Sequence, residues 1–461
     1  MSEPIYSPGL EGVVAGETAV STVEGGLRYR GYPVGELVEN ASFDEVAYLL
    51  LHGNLPNRFQ LASFQRRLAA ARSLPHPLLD VMRVLPPAIH PMDAVRTAVS
   101  VLAHYDPETE DASHDANLRK AERLVAQIPV AVAAHYRLSR GMEAVPARSN
   151  LGNAANFLFM LRGQEAPSDN VRALDVSLTL YAEHEFNAST FTARVACSTL
   201  SDLHSAIVAA IGALKGPLHG GANEKVMEIL EAAGSPERAE SWLRQALARK
   251  DRIMGFGHRV YKAGDVRAGI LKPYARKAAA AAGVSHWEET AEIIERILGE
   301  EKHLFPNLDW PAGRLYYALG LEIRLYTPIF VMSRVTGWSA HFIEQHEHNR
   351  LIRPRSRYTG PEARRAAQPA RLRRSRLRVI CAGPAQRVPF STHQTHRPTA
   401  TRPANMGFAR RYSFGMRNAD PQPRRCRRGV CGVSTSTSAQ VCFVPVQEVG
   451  HVKPSGIVAQ A

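Results

Sequence analysis

Apolar and polar positions follow a helical period along most of this chain. In ASFDEVAYLLLHGNLPN, Val46, Leu49 and Leu50 fall on one face, Ser42 and Glu45 precede them in capping-box spacing, Gly53 marks a stop and Pro56 lies beyond it. This spacing predicts a helix between Ser42 and Gly53. In RLVAQIPVAVAAHYRL, Leu124, Ile128 and Val132 recur at four-residue steps, and Ile293, Ile294, Ile297 and Leu298 form a stripe that closes at Gly299. Strand patterns are few. EGVVAGETAVSTVEGGLRYRGYPV, rich in Val and Thr and punctuated by glycine, predicts one or two short N-terminal hairpins. No internal repeat is present, which argues against a solenoid. The pattern describes a mostly helical chain with a short N-terminal β-hairpin.

After Tyr358-Thr359-Gly360 the periodicity stops. The segment beginning ARRAAQPARLRRSRLRVICAGPAQRVP holds 17 arginines and one lysine, many Pro, Ser and Gln residues, and no apolar face until VCFVPVQEVG. Such a composition cannot bury enough surface to offset its ordering entropy, so residues 361–461 are predicted to be disordered. They also carry the chain's charge. Of the 57 Lys and Arg and 43 Asp and Glu residues, the segment from Pro361 onward has 18 and 3, leaving 39 and 40 in the body. Two readings fit the tail: a basic arm that binds nucleic acid or another anionic surface, or a frame-shifted or read-through product, which the preference for Arg over Lys favours. Cys426, Cys431 and Cys442 lack the paired spacing of a zinc site.

The 461 residues are 45% hydrophobic and 22% charged, enough for a sizeable core. Only Cys197 lies in the body, which points to a reducing compartment. MSEPIYSPGLEGVVAGE has no basic and apolar signal pattern, and no run approaches the ~18 apolar residues of a membrane helix. The expected location is cytoplasmic, with no membrane partner.

Four stretches place chemically able residues in glycine-rich or helix-end settings: LYAEHEFNAST with His184, KGPLHGGAN with His219, MGFGHRVYKAGDVR with His258 and Arg267, and FPNLDWPAG with Asp309. Singly, each histidine reads as an ordinary satisfied residue and the aspartate as a turn or cap. Glycines 220, 221, 255 and 257 shift that reading, because they let backbone approach a ligand and leave ring nitrogens uncovered. Together GPLHGGAN, GFGHRVYK, PNLD and EHEFNAST resemble the citrate synthase family in motif and order. The opening GLEGVVAGETAVSTVEGGLRYRGYPVGEL and the late SRVTGWSAHFIEQHEHNRLIRPRSRYTG are similar to its short bacterial form. The resemblance spans about residues 8–362, and the tail lies outside it.

The resemblance implies an all-α citrate synthase fold. A large domain (residues 1–220 and 321–360) would carry an inserted small domain (221–320), with His219 at the hinge, His258 and Asp309 in the insert, and closure excluding water. It implies a Si-type acyltransferase that joins acetyl-CoA to oxaloacetate, giving citrate and CoA, the entry step of the tricarboxylic acid cycle. Propionyl-CoA, giving 2-methylcitrate, is the close alternative, since one methyl shifts discrimination by only about 1–3 kcal/mol. Action as a nucleic-acid-binding protein through the basic tail is a remote one. The chemistry needs a base beside the thioester and a donor facing the developing enolate. By resemblance Asp309 is the base, His219 the donor and His258 the group that polarises and then protonates the ketone oxygen. Arg267, Arg334 and Arg353 would clamp the two carboxylates, with His184 adding a hydrogen bond. Arg353 would reach the neighbouring subunit's site, implying a homodimer with shared sites. Lys262 would meet the CoA phosphates, and the backbone of Met254, Gly255, Phe256 and Gly257 the adenine. No cofactor and no metal are implied. His341, His346 and His348 lack metal-ligand spacing on one helix face, and Asn187-Ala188-Ser189 has no secretion signal to make it a glycosylation acceptor. The family's usual Asp-Pro-Arg is Asp265-Val266-Arg267 here, which removes a rigid proline from that turn.

Overall fold

Sixteen α-helices and one small sheet make up the described residues, 6–258, 260–261 and 264–364 of this computed structural model. The helices are α1 (Val34–Asn40), α2 (Phe43–His52), α3 (Arg58–Ala71), α4 (His76–Val84), α5 (Pro91–Tyr105), α6 (His114–Leu138), α7 (Asn153–Arg162) and α8 (Ser168–Tyr181). There follow α9 (Ala188–Ser198), α10 (Leu203–Leu214), α11 (Ala222–Ala233), α12 (Pro236–Ala248), α13 (Val266–Ala282), α14 (His286–Lys302), α15 (Asp309–Ala318) and α16 (Tyr326–Glu347). The predicted hairpin is a three-stranded antiparallel meander, β1 (Ser21–Thr22), β2 (Arg28–Tyr29) and β3 (Tyr32–Pro33), in which Tyr29 pairs with both Ser21 and Tyr32. Residues up to Arg364 form one compact unit. The predictions for Lys262 and for nearly all of the Arg-rich tail lie outside the described residues.

Local signals act as their chemistry requires. At the start of α2 the Glu45 carboxylate accepts from Ser42 N at 2.8 Å while Glu45 N donates to Ser42 Oγ at 3.4 Å, and Gly53 ends the helix at φ 87°. Leu124, Ile128 and Val132 are buried within α6. The predicted stop at Gly299 does not occur. Helix α14 runs on to Lys302 and ends at His303, φ 50°. A glycine inside a helix costs only ~0.5–1 kcal/mol, which the buried Ile294, Ile297 and Leu298 and the following Glu, Glu and Lys outweigh.

Helix α16 is the axis of the body: every residue from Tyr326 to Ile343 is buried. A helix enclosed on all sides needs small residues where neighbours cross it, and Gly337 serves the chain leaving α8. A Cβ there would lie 2.5 Å from Ala182 O and collide with Glu183 Oε2. The residue after Glu183, His184, lies within the field of the Arg334 charge on α16.

Candidate active site

His219 sits in the turn between α10 and α11. Gly220 makes that turn possible, because a Cβ would stand 2.6 Å from both the carbonyl oxygen and Cγ of Leu214, whose oxygen accepts Gly220 N at 2.9 Å. The imidazole meets Ser189 at the start of α9, with Nε2 2.8 Å from Ser189 Oγ and 3.4 Å from Ser189 N. A backbone N–H can only donate, so the Nε2 lone pair faces Ser189 and the ring proton resides on Nδ1. The Ser189 oxygen accepts the indole N–H of Trp338 at 3.1 Å, and its one proton has two acceptors in reach, His219 Nε2 and Asn187 Oδ1, each 2.8 Å away. Burial, reinforced by the charge of Arg334, pushes His219 down to about 3, so the ring is neutral throughout the physiological range.

His258 and Asp309 come from two segments zipped together. Gly257 N donates to Phe305 O at 2.9 Å, Asn307 N to Gly255 O at 2.8 Å and Asn307 Nδ2 to Gly257 O at 3.0 Å, around a bridge between Phe256 and Pro306. This pairing registers GFGH against PNLD. His258 Nδ1 accepts from Val260 N at 3.1 Å and Tyr261 N at 3.2 Å, which leaves the ring proton on Nε2. The ring stacks on Tyr261 with centroids 4.6 Å apart and meets His184 edge-on at 5.0 Å, while Tyr261 Oη lies 3.1 Å from His184 Nε2. Burial, then the charges of Arg267 and Arg334, hold His184 well below the usual imidazole range.

Asp309 is the first residue of α15, where its own N–H donates to Asn307 Oδ1 at 3.1 Å and its Oδ1 accepts the Tyr181 hydroxyl at 2.6 Å. Burial raises this carboxyl to about 6 against the opposing pull of Tyr181 and Arg267. Tyr181 in turn packs on Phe330 of α16 at 4.3 Å, and Phe330 faces the His219 ring at 6.1 Å and the Arg334 guanidinium at 4.7 Å. Phe330 therefore stands between the His219 imidazole and the tyrosine that holds Asp309.

Two of the expected arginines are buried beside these groups. Arg267 is forked onto Asp265, Nε to Oδ1 at 3.0 Å and Nη2 to Oδ2 at 2.7 Å, and the same carboxylate caps α13 by accepting Arg267 N at 3.0 Å. The cap and ion pair hold the turn that lacks the family's proline. Arg334 donates from Nε to Tyr181 O at 2.6 Å, but its Nη1 has no partner among the described residues; burial lowers it to about 10, and the nearby Glu183 carboxylate opposes that shift. A buried guanidinium with an open N–H favours an arriving anion. His219, His258 and Asp309 keep an accessible face while His184, Arg267 and Arg334 are buried.

Arg353 is exposed on the segment after α16, which is tied to the end of α9 by Ile352 N on Ser198 Oγ at 3.1 Å. Among the described residues no hydrogen bond ties its guanidinium to the groups of the site. Met254 to Gly257 form the rim of the zipped loop, with Phe256 packed on Trp310 at 4.6 Å. His341 uses both ring nitrogens, Nε2 toward Glu183 Oε1 and Nδ1 toward Arg194 Nη1, each at 2.9 Å. Ser189, Tyr181, Phe330 and Tyr261 escaped the sequence reading. The first two lie in or beside EHEFNAST, and a hydroxyl next to a motif histidine was their only signal.

A helical fold that sets neutral imidazoles and a recessed carboxyl beside buried arginines defines an acyl-transferring enzyme for an anionic acceptor. The family model described as citrate synthase, C-terminal domain, matches residues 9–355, and the chain belongs to the citrate synthase family. It is 48% identical over 356 residues to Citrate synthase 2 of Bacillus subtilis, covering 77% of this chain and 96% of that one. It is 46% identical over 364 residues to the 2-methylcitrate synthase of Mycobacterium tuberculosis, covering 78% of this chain and 92% of the relative. Among solved structures, the ternary complex of carboxymethyl coenzyme A and oxaloacetate with citrate synthase from Thermoplasma acidophilum aligns with a TM-score of 0.76 at 35% identity over 79% of this chain and 99% of that one. Citrate synthase from Pyrobaculum aerophilum aligns with a TM-score of 0.73 at 39% identity, covering 79% and 96%.

Proposed function

We propose that this protein condenses acetyl-CoA with oxaloacetate to give citrate and CoA. The observation that carries the reading is the complementary placement of protons: Nδ1–H on His219, Nε2–H on His258, and a carboxyl at Asp309 raised to about 6. Asp309 takes a proton from the carbon next to the thioester, and His219 Nδ1–H hydrogen-bonds the developing enolate oxygen. The nucleophilic carbon attacks the ketone of oxaloacetate, and His258 Nε2–H protonates the alkoxide. Water then cleaves the thioester of the resulting citryl-CoA, releasing citrate and the thiol. A carboxyl near 6 is mostly ionised at neutral pH yet more basic than an ordinary aspartate, which suits proton abstraction.

Arg267 and Arg334 hold the oxaloacetate carboxylates with help from His184, and Arg353 completes the clamp from the other subunit of a homodimer. Lys262 and the rim at Met254, Gly255, Phe256 and Gly257 receive CoA. Residues 221–320 act as a small domain closing on the rest, in the cytoplasm and with no cofactor beyond the substrates. Thiol release with oxaloacetate and either acetyl-CoA or propionyl-CoA tests the reading; absence of turnover with both overturns it. The similarity to a relative named 2-methylcitrate synthase supports propionyl-CoA as the second reading, and a higher kcat/KM for that donor would establish it.

A further inference from the structure

The turn that carries His219 is gripped from outside the reacting groups. At its leading end, Lys215 Nζ meets both oxygens of Asp93 in the first turn of α5 at 2.7 Å. At its trailing end, the Glu224 carboxylate gathers donors from two other helices. His90, which caps α5, accepts Met92 N at Nδ1 at 3.2 Å, so its ring proton is on Nε2, which donates to Glu224 Oε2 at 3.3 Å. Thr327, buried at the start of α16, directs both its hydroxyl and its N–H, the latter at 3.4 Å, to Glu224 Oε1. The same hydroxyl lies 3.3 Å from Gly220 O, the carbonyl directly after His219. Hydrogen bonds from His90 and Thr327 hold Glu224 below the usual carboxylate range despite its burial.

The donor count explains why a carboxylate is required. Three N–H or O–H groups point at its two oxygens, and an amide in its place would set an NH₂ against a donor in either orientation. Glu224 stands five residues after His219, and its partners belong to α5 and α16, outside the segment proposed as the small domain. We infer that Glu224 is a positioning residue for His219, clasping the α11 end of the imidazole's turn to the α5 and α16 starts through His90 and Thr327. The clasp sets the direction of the His219 Nδ1–H bond. Among the described residues Glu224 has no hydrogen bond or ion pair with Arg267 or Arg334, so the clasp acts on the enolisation step rather than on oxaloacetate binding.

The kinetic arm rests on the proposed condensation. Glu224→Gln, Thr327→Val and Thr327→Ser are compared with the full-length protein for kcat, for oxaloacetate affinity by calorimetry, and for deuterium uptake of the 215–221 segment. In Glu224→Gln and Thr327→Val, kcat falls about tenfold or more while oxaloacetate affinity stays within about threefold, and uptake over 215–221 rises. Thr327→Ser, which restores the hydroxyl, recovers most of the rate and protection. Unchanged uptake with kcat within twofold overturns the clasp, as does a loss of oxaloacetate affinity in step with kcat, which would mark a general structural support. If the unaltered protein turns over neither acyl-CoA, the condensation reading fails, and the exchange measurement still decides the clasp.

Discussion

Tyr181 and Asp309 join the last residue of α8 to the first residue of α15 through a 2.6 Å hydrogen bond, phenol to carboxylate. The bond has opposite effects on the two ends. It steadies the ionised carboxylate that burial disfavours, and with burial and the Asp309 charge it keeps the phenol protonated, its ionisation held well above the usual range. Tyr181 therefore remains a donor wherever Asp309 is a base.

Tyr181→Phe removes the donor and leaves the ring against Phe330. The Asp309 carboxyl then rises further, because the interaction lost favoured its charged form. A base must be deprotonated to act, so activity falls as pH drops through its pKa, near 6 in the unaltered protein. The acid limb of kcat/KM is expected to move toward neutral pH in the variant, with a larger loss at pH 6 than at pH 8. His219, already down at about 3, stays neutral over this range and does not produce the limb. An acid limb that does not move separates Tyr181 from the titrating group.

Asp309→Asn keeps the shape and the Tyr181 contact but removes the base. A general acid–base role is worth roughly 10²–10⁴ in rate, so kcat should fall by that factor. Oxaloacetate binding, assigned to Arg267 and Arg334, should stay within about threefold by calorimetry. Turnover near that of the unaltered protein would remove Asp309 from the mechanism.

Ser189→Ala takes away the hydroxyl 2.8 Å from His219 Nε2 and frees the indole N–H of Trp338. The ring loses its shortest tie and keeps only the 3.4 Å bond from the backbone N–H of residue 189, so its orientation is held less firmly. A hydrogen bond contributes ~0.5–1.5 kcal/mol net, and about 1.4 kcal/mol is tenfold in rate, so kcat should drop roughly tenfold with little change in KM for oxaloacetate. A rise in KM alone would place Ser189 in substrate binding instead.

The residues that announced themselves in sequence did so through local rules. The α2 capping box needs only residues three apart, and GPLHGGAN and PNLD show their glycines and turn residues directly. What stayed hidden depends on the crossing of distant segments. Nothing local in VSLTLYAEH says that Tyr181 will meet Asp309, 128 positions on, or that Gly337 must lack a Cβ so that Glu183 can pass α16. Gly299 shows the converse, a local stop overridden by the buried stripe before it and by strong helix formers after it. Asp265 shows substitution of means, since its carboxylate caps α13 and pins Arg267 where a proline could have stiffened the turn.

Gly220→Ala and Gly221→Ala should part company although the two glycines are neighbours. At Gly221 the nearest atom to a new Cβ is Pro217 Cα at 3.6 Å and φ is −72°, so alanine fits and stability should change by less than about 0.5 kcal/mol. At Gly220 the Cβ would stand 2.6 Å from both Leu214 Cγ and Leu214 O. The side chain can turn away, but the carbonyl belongs to the end of α10 and already accepts Gly220 N at 2.9 Å, so relief requires the turn itself to shift. Overpacking of this kind costs ~1–3 kcal/mol, and the shift carries His219 off its line to the thioester. Thermal unfolding should therefore begin several degrees lower in Gly220→Ala, with kcat reduced more than the stability loss alone explains. Adding Leu214→Ala removes the Cγ contact but not the carbonyl, so the double variant should recover little of the rate. Full recovery in the double variant would mean that the side chain, not the backbone, fixes the position of His219.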